Sequence, residues 1–490
     1  LALRLFRLGH SSLWVDEIIS WYSVQTVAPS LRTLLLENVH GPLYSLLLGA
    51  WVRIAGDGEW ALRFPSVVFG TLLVPATAWF AGRWLGREAR VPAAWLAAGA
   101  PFLVWYAQEA RNYSLLMLCV AVSGALLLEL RERIDPARLA GYAAATLAGL
   151  LSNLSFAFLA PLHLVWWIGA PGRRGRRLLL TGALAVVFAL ALIPWLGSIR
   201  GTWDWQRLDP ARTPAAHEGE LRPGSTFHAA AIPWAFQTFA AGYTLGPSLR
   251  ELRADRSLHA LSPYALELGA AAIVFGALSV AGLAALRRRG RLLQAGLAIL
   301  VPVAIASYFA IQNFKVFHPR YLAVVMPGLL AIWAAGWADL RGRIRIGLAV
   351  AIAALWALAL FRMGFDPRYE KDDLRSVARV LHEQGRPGEV VVAASTSEML
   401  FYYYRGPLDV RHYWLGFAAD PARMADRFEA LKGGAGTWVV SARPEDLDPR
   451  GAFARYLDDT YPGATRYAFP GVRLWHLPAA RASVTTQSTH

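Results

Sequence analysis

Three short stretches carry the side chains with which this chain can do chemistry. The first is Ser12-Leu13-Trp14-Val15-Asp16-Glu17, which sets two adjacent carboxylates just outside an apolar segment, at the start of a loop running to His40-Gly41-Pro42-Leu43-Tyr44. Adjacent acids there fit a helix start, where the dipole favours negative charge, or the acid/base centre of an enzyme whose substrate is held at a membrane surface. The second is Gln108-Glu109-Ala110-Arg111-Asn112-Tyr113, a turn between two apolar runs. Its carboxylate and guanidinium, two residues apart, suit a sugar hydroxyl and a phosphate, or each other as a local ion pair. The third is Lys315-Val316-Phe317-His318-Pro319-Arg320-Tyr321. Cations at a helix N-terminus make an anion site, because free N–H groups and the dipole add to the side-chain charge; the plain alternative is a set of snorkelling anchors.

The elements that must position these residues are membrane helices. Of 490 residues 56% are hydrophobic and 20 are Trp, with a mean hydropathy of +0.35, well beyond a soluble domain. The net charge of +15 does not point to nucleic acid, because the arginines sit in short clusters between apolar runs rather than along one face. The single cysteine, Cys119, lies inside an apolar run, so it forms no intrachain disulfide and reads as packing. Leu1 to Leu8 is shorter than the roughly 20 apolar residues a span requires and reads as the late part of a truncated first helix.

Apolar runs suited to spans lie near 60–85, 91–107, 111–131, 137–153, 154–170, 176–199, 263–287, 291–312, 318–339 and 343–362. Between them stand Arg83/Arg87/Arg90, Arg131/Arg133/Arg138, Arg173/Arg174/Arg176/Arg177, Arg287/Arg288/Arg289/Arg291 and Arg341/Arg343/Arg345. The positive-inside rule puts all five clusters in the cytoplasm. Alternation agrees only if 41–56 does not cross, which makes that run an amphipathic helix in the outer interface, opened by Pro42 and closed by Gly56. With the first helix this predicts about eleven spans. The outer segments are then 9–59, 108–112, Ser152-Asn153, 200–262, 312–318 and everything after Phe361. Asp16, Glu17, His40, Glu109, Arg111, Lys315, His318 and Arg320 all fall on that side. Within 200–262, Trp203, Asp204 and Trp205 precede a proline-rich piece, and Phe227 to Tyr243 has the pattern of an interfacial lid or substrate wall.

After residue 365 the composition becomes that of a globular domain. Residues 372–384, 396–404 and parts of 447–461 read as helices, 389–394 and 437–441 as strands, and 466–469 with 472–477 as a hairpin about Pro470-Gly471. A small α/β domain over 366–478 follows, without a phosphate-binding glycine pattern, suited to support or acceptor binding. Residues 479–490 read as a disordered tail.

Six stretches taken together resemble the bacterial glycosyltransferase family 39 type, membrane enzymes of the GT-C fold related to protein O-mannosyltransferases and to the lipid A aminoarabinose transferase. They are Leu13-Trp14-Val15-Asp16-Glu17, His40-Gly41-Pro42-Leu43-Tyr44, Leu62-Arg63-Phe64-Pro65-Ser66 with Phe69-Gly70, Gln108 to Tyr113, Gly242-Tyr243-Thr244-Leu245-Gly246-Pro247-Ser248 and His318-Pro319-Arg320-Tyr321. Gly41 departs from the pattern, which has a proline there. The resemblance implies a multi-pass protein of the bacterial inner (plasma) membrane, with an extracytoplasmic active site, a polyprenyl-phosphate-linked sugar donor and a catalytic acid in the first loop. The acceptor it implies is a component of the envelope, whether glycan, lipid or protein, and it fixes neither that choice nor the sugar.

On that reading sugar transfer is a single inverting displacement. Asp16 takes the acceptor proton, while Glu17 and Glu109 hold acceptor or sugar hydroxyls. Arg320, Arg111, Lys315 and His40 stabilise the leaving phosphate. Tyr44, Tyr113, His318 and Tyr321 complete the substrate-binding set. No cofactor is required; a divalent cation, Mg or Mn, bridging Asp16, His40 and phosphate is compatible with the ligand types. Geometry separates the two acids, since neighbouring residues point about 100 to 180° apart and cannot both reach one proton. Trp14 is placed to desolvate the base. The rival classes are a lipid-linked sugar transporter or flippase and a non-catalytic assembly subunit. A transporter usually leaves ionisable groups near the bilayer midplane or an internal repeat, and neither is evident here.

Overall fold

The computed structural model describes residues 1–26, 41–170, 174–206, 227–255, 257–312, 317–394, 397–413, 421–448 and 451–479. His40, Lys315, residues 207–226 of the long outer loop and the tail from 480 lie outside the described residues. Each of the ten apolar runs is helical, and among the described residues seven helices are long and apolar enough to cross a membrane. That is fewer than eleven, for local reasons. Residues 90–107 form two helices, Arg90–Gly99 and Pro101–Ala107, parted where Pro101 forces Ala100 out of the helical region to φ −55° and ψ 118°. Pro136–Ser152 has 17 residues, and Leu154–Ile168 opens with a 3-10 stretch. The N-terminal stretch holds the single turn Ala2–Leu5.

Residues 41–56 behave as their sequence predicts, forming a helix over Pro42–Ala55 with Pro42 in its first turn and Gly56 at φ 79° ending it. At about 1.5 Å per residue its 14 residues fall short of a bilayer. Gly41 is required by packing, because a Cβ there would collide with the carbonyl of Ser152. The proline of the family pattern does not fit this backbone.

Ion pairs gather several arginine clusters at one end of the bundle. Arg83 pairs with Glu129 at 3.1 Å and Glu132 at 3.2 Å, and Arg138 with Glu129 at 3.3 Å. Arg177 donates to the carbonyl of Arg131 at 3.2 Å, and Asp339 takes both Arg288 and Arg289. Between Leu258–Arg288 and Pro319–Asp339, glycines let the backbones touch. A Cβ on Gly336 would meet Gly282 N at 2.5 Å, and one on Gly282 would meet Ile332 O at 2.5 Å. That contact anchors the helix whose N-terminal end carries His318 and Arg320.

The C-terminal domain is a five-stranded mixed sheet, ordered β2-β1-β3-β5-β4, with β1 Val390–Ala394, β2 Asp409–Tyr413, β3 Gly436–Ala442, β4 Thr465–Phe469 and β5 Val472–Pro478. β1 pairs in parallel with β2 and β3, while β5 runs antiparallel to β3 and β4. The hairpin, the two buried strands and the helices Leu374–Gln384 and Ser397–Tyr403 follow the sequence pattern. β2, an edge strand of Asp-Val-Arg-His-Tyr, and the helix Pro421–Leu431 were not evident in it.

Candidate active site

The helix Val15–Thr26 carries both acids in its first turn, and they face different ways. Glu17 is fully buried against Arg63, whose Nε and Nη2 meet its two oxygens at 2.8 and 2.9 Å. It also accepts from Ala110 N at 2.9 Å and Lys371 Nζ at 3.0 Å. Burial opposes its ionisation, but the charges of Arg63 and Lys371 with these hydrogen bonds prevail and hold its carboxyl down to about 2. Both oxygens are occupied by the protein, so Glu17 fixes the loop and does not reach a substrate hydroxyl. This corrects the hydroxyl-binding role expected of it.

Asp16 turns the other way, into a cavity of about 180 Å³ at the junction of the two domains. Its Oδ2 meets Arg320 Nη1 at 2.6 Å, across 304 residues of sequence. Arg320 also donates to Tyr321 Oη at 3.1 Å and lies over the Tyr321 and Trp14 rings, at 5.1 and 5.4 Å. Arg443, from the C-terminal domain, stands 5.5 Å from the Trp14 ring. Trp14 is thus held between two guanidiniums beside Asp16. His318 accepts from Arg320 N through Nδ1 at 3.2 Å. Burial, joined by the charge of Arg320, drives its protonation well below the ordinary range, so its imidazole is neutral.

Glu109 lines the same cavity, 2% exposed. Its Oε1 accepts from Trp105 Nε1 at 2.8 Å and lies 3.5 Å from Lys371 Nζ. Its Oε2 is buried with no hydrogen-bond partner, and so are Trp14 Nε1 and Arg320 Nε. Buried polar atoms are rarely left so, and three around one cavity mark where a polar ligand belongs.

The structure therefore brings Asp16, Glu109, His318 and Arg320 to one cavity. It sets other candidates behind the wall. Arg111 donates to Asp16 O at 3.0 Å and Ser20 Oγ at 3.2 Å, committing its guanidinium to the helix that bears Asp16 rather than to the cavity. Tyr44 bonds Ser66 Oγ at 2.8 Å, and Tyr113 packs on Tyr106 with ring centroids 4.9 Å apart. Tyr321 supports Arg320.

Sequence reasoning missed Lys371, Arg443 and Tyr243. Tyr243 turns into the cavity after Gly242, at φ 81°, ends the helix Ala231–Ala241, and it bonds Tyr106 Oη at 2.7 Å. Its motif was quoted in the family pattern, which was the available signal. Lys371 and Arg443 stand in the C-terminal domain, where no motif singles them out. That domain also fastens the first loop: Leu13 N donates to Tyr403 Oη at 2.6 Å, and Ser12 Oγ to Asp373 at 3.0 Å. Among the described residues no group of three His, Cys, Asp or Glu converges as a metal site.

An acid paired with an arginine at one end of a helical membrane domain, roofed by a small sheet domain, sits here in the GT-C fold, which the chain shares with the solved structures it is similar to. Residues 39–197 match the family model described as dolichyl-phosphate-mannose-protein mannosyltransferase. The chain is similar over 97% of its length to 96% of ArnT from Cupriavidus metallidurans in the apo state, with 17% identity and a TM-score of 0.56. The same protein bound to undecaprenyl phosphate gives 17% identity and 0.55 over the same shares of both chains. Similarity to the archaeal oligosaccharyltransferase AglB from Archaeoglobus fulgidus, in complex with an inhibitory peptide and a dolichol-phosphate, covers 99% of this chain and 74% of that one, at 12% identity and a TM-score of 0.54. Comparison with curated proteins gives no match.

Proposed function

We propose that the chain transfers a sugar from a polyprenyl-phosphate donor to an acceptor hydroxyl on the extracytoplasmic side of a bacterial inner membrane, with Asp16 as base. The observation that carries this reading is the Asp16–Arg320 contact at 2.6 Å inside the cavity. The polyprenyl phosphates bound to ArnT and AglB support the donor class. A donor phosphate entering the cavity competes for Arg320 and releases Asp16 Oδ2. The acceptor oxygen then attacks the anomeric carbon, and its proton passes to Asp16. The bond from that carbon to the phosphate oxygen breaks, its electron pair staying on the phosphate, where Arg320 faces the developing charge. One displacement inverts the anomeric centre. Glu109 Oε2 and Trp14 Nε1 are the free acceptor and donor for sugar or acceptor hydroxyls. Arg111 acts by holding the Asp16 helix. Lys315, His40 and a divalent cation remain part of the proposed phosphate site, and the steps above are written on the described residues.

Purified protein in nanodiscs, given labelled polyprenyl-phosphate sugars and an envelope extract as acceptor, tests the reading. Asp16→Asn, nearly isosteric, is expected to bind the donor while its turnover falls by about 10²-fold or more. Wild-type protein that moves the lipid across a bilayer without cleaving the sugar would instead establish a transporter.

A further inference from the structure

Lys371 is one of three lysines in a chain whose Lys and Arg total 49. It lies just past the last membrane helix, Gly342–Phe365, on the segment leading into the C-terminal domain, and its side chain is 13% exposed. The ammonium reaches back between two buried carboxylates, Glu17 at 3.0 Å and Glu109 at 3.5 Å, with the Trp105 ring 5.9 Å away. Where one carboxylate is to be gripped flat, this chain uses an arginine fork, as Arg63 does on Glu17. Between two separate acids a compact point charge with three rotatable donors fits better.

Glu17 does not need a second cation for charge balance, since Arg63 already supplies one. Glu109 does. Its other oxygen-bound partner is the neutral indole of Trp105. The charged groups that act on it are Lys371, Arg63 and Arg320 on one side and Glu17 and Asp16 on the other. The phenols of Tyr44 and Tyr243 also face it and stay neutral in the physiological range. Burial raises the Glu109 carboxyl, with Glu17 and Asp16 adding to the rise and Lys371 opposing it. The net shift is upward, and without Lys371 a buried acid beside two other acids would rise further, toward the protonated form in which it is a weaker acceptor.

We propose that Lys371 is a positioning residue for sugar transfer, holding Glu109 against Trp105 with Oε2 directed at a hydroxyl of the bound sugar or acceptor. This rests on the transferase reading above. It makes the C-terminal domain part of the reaction centre, through a cation supplied from outside the membrane helices.

The test compares wild type with Lys371→Met, Lys371→Arg and Glu109→Gln in nanodiscs. The first readout needs no substrate: the infrared band of a protonated carboxyl, assigned to Glu109 by its loss in Glu109→Gln, followed against pH. Its midpoint is expected to move up in Lys371→Met, by about a pH unit or more, and to stay near wild type in Lys371→Arg, which keeps the charge. An unmoved midpoint overturns the proposal even if no sugar donor is ever found. The second readout is the pH profile of kcat/KM with a labelled polyprenyl-phosphate sugar. Lys371→Met should lose about 10-fold or more near neutral pH and recover as pH rises and Glu109 ionises. Lys371→Arg should keep the wild-type profile with a raised KM. In a Glu109→Gln background, Lys371→Met should cause no further loss. If Lys371→Met lowers the Tm but leaves the pH profile unchanged, Lys371 merely staples the domains and the proposal fails. Wild-type inactivity with every donor would count against the transferase reading, leaving the infrared titration to decide the role of Lys371.

Discussion

Arg63→Met keeps much of the side chain's length while removing five N–H donors, and each of them has a partner. Two go to Glu17 at 2.8 and 2.9 Å, and the others to the carbonyls of Leu8, Ser11 and Ser12 at 2.8, 2.9 and 3.0 Å. Glu17 is held at about 2 against an ordinary 4.5. At about 1.4 kcal/mol per tenfold, that depression favours the ionised acid by about 3 kcal/mol, at the low end of the roughly 3–5 kcal/mol lost on breaking a buried pair. Lys371 and Ala110 N–H remain with Glu17 in the variant, so about 3 kcal/mol is the expected loss. An unfolding entropy of about 2 cal/mol/K per residue, summed over a cooperative unit as large as the chain, turns this into a drop of roughly 3 °C in Tm. Tryptophan fluorescence during heating in nanodiscs measures it. The pH dependence has a definite sign. In wild type a depressed carboxyl contributes stability that is complete above about 4.5 and disappears as pH falls toward 2. In Arg63→Met burial gains the upper hand, Glu17 rises, and protonation relieves it, so the deficit relative to wild type shrinks as pH is lowered from neutral. Adding Glu17→Gln should likewise restore part of the loss. A Tm within about 1 °C of wild type, or a double variant worse than the sum of the two, would show that Arg63 is not the counter-charge of Glu17.

Two further outcomes are expected. Arg320→Ala should lose about 2–4 kcal/mol of transition-state stabilisation, read from kcat/KM, with Arg320→Lys recovering part because a point charge replaces a planar fork; full activity in Arg320→Ala would reduce this residue to an interfacial anchor. In intact cells, on a Cys119→Ser background, cysteines at the exposed positions Gln25 and Thr465 should react with an impermeant thiol reagent, and one at Glu132 should react only after permeabilisation; labelling of Gln25 and Glu132 from the same side overturns the proposed orientation.

The helices were legible because a 3.6-residue element buried in lipid or in other helices needs little beyond an apolar run and a charged end. Their number was less so, because Pro101 divides one run and a 3-10 stretch replaces part of another, and both are decided by local backbone geometry. In the C-terminal domain the buried strands β1 and β3 announce themselves as Val-rich runs. Edge strand β2, Asp-Val-Arg-His-Tyr, has no clean alternation and owes its form to pairing with β1, which no local pattern encodes. At the site, Asp16, Glu109, His318 and Arg320 are legible as polar residues at the ends of apolar runs. Arg111 stood in an equally suggestive place, yet its guanidinium faces the Asp16 backbone. Which way a side chain points from a five-residue turn depends on tertiary packing, and the sequence carries no direct sign of it. Lys371 was missed because it is local to nothing: its partners lie 354 residues away at Glu17 and in the turn at Glu109.

The two adjacent acids show how that placement produces a division of labour. On a helix their side chains diverge by about 100°, so one must turn toward the protein if the other faces the cavity. Glu17 turns inward, where Arg63 arrives from the helix Glu59–Leu85, Ala110 N from the turn before Tyr113, and Lys371 from the C-terminal domain. A buried ion pair is a weak source of net stability, because desolvation offsets most of the Coulomb gain. A well-packed apolar pair would hold the same volume at least as well. What the charged version adds is direction, since a bidentate fork and a backbone N–H fix the rotation of the helix about its axis. Arg111 adds a further constraint by gripping the carbonyl of Asp16 itself. Leu13 N and Ser12 Oγ, fastened to Tyr403 and Asp373, hold the residues just before the helix. With its neighbour and its own backbone secured from both domains, the Asp16 carboxylate keeps one orientation toward Arg320, and on the proposed reaction a phosphate that draws Arg320 away would uncover a base already in place.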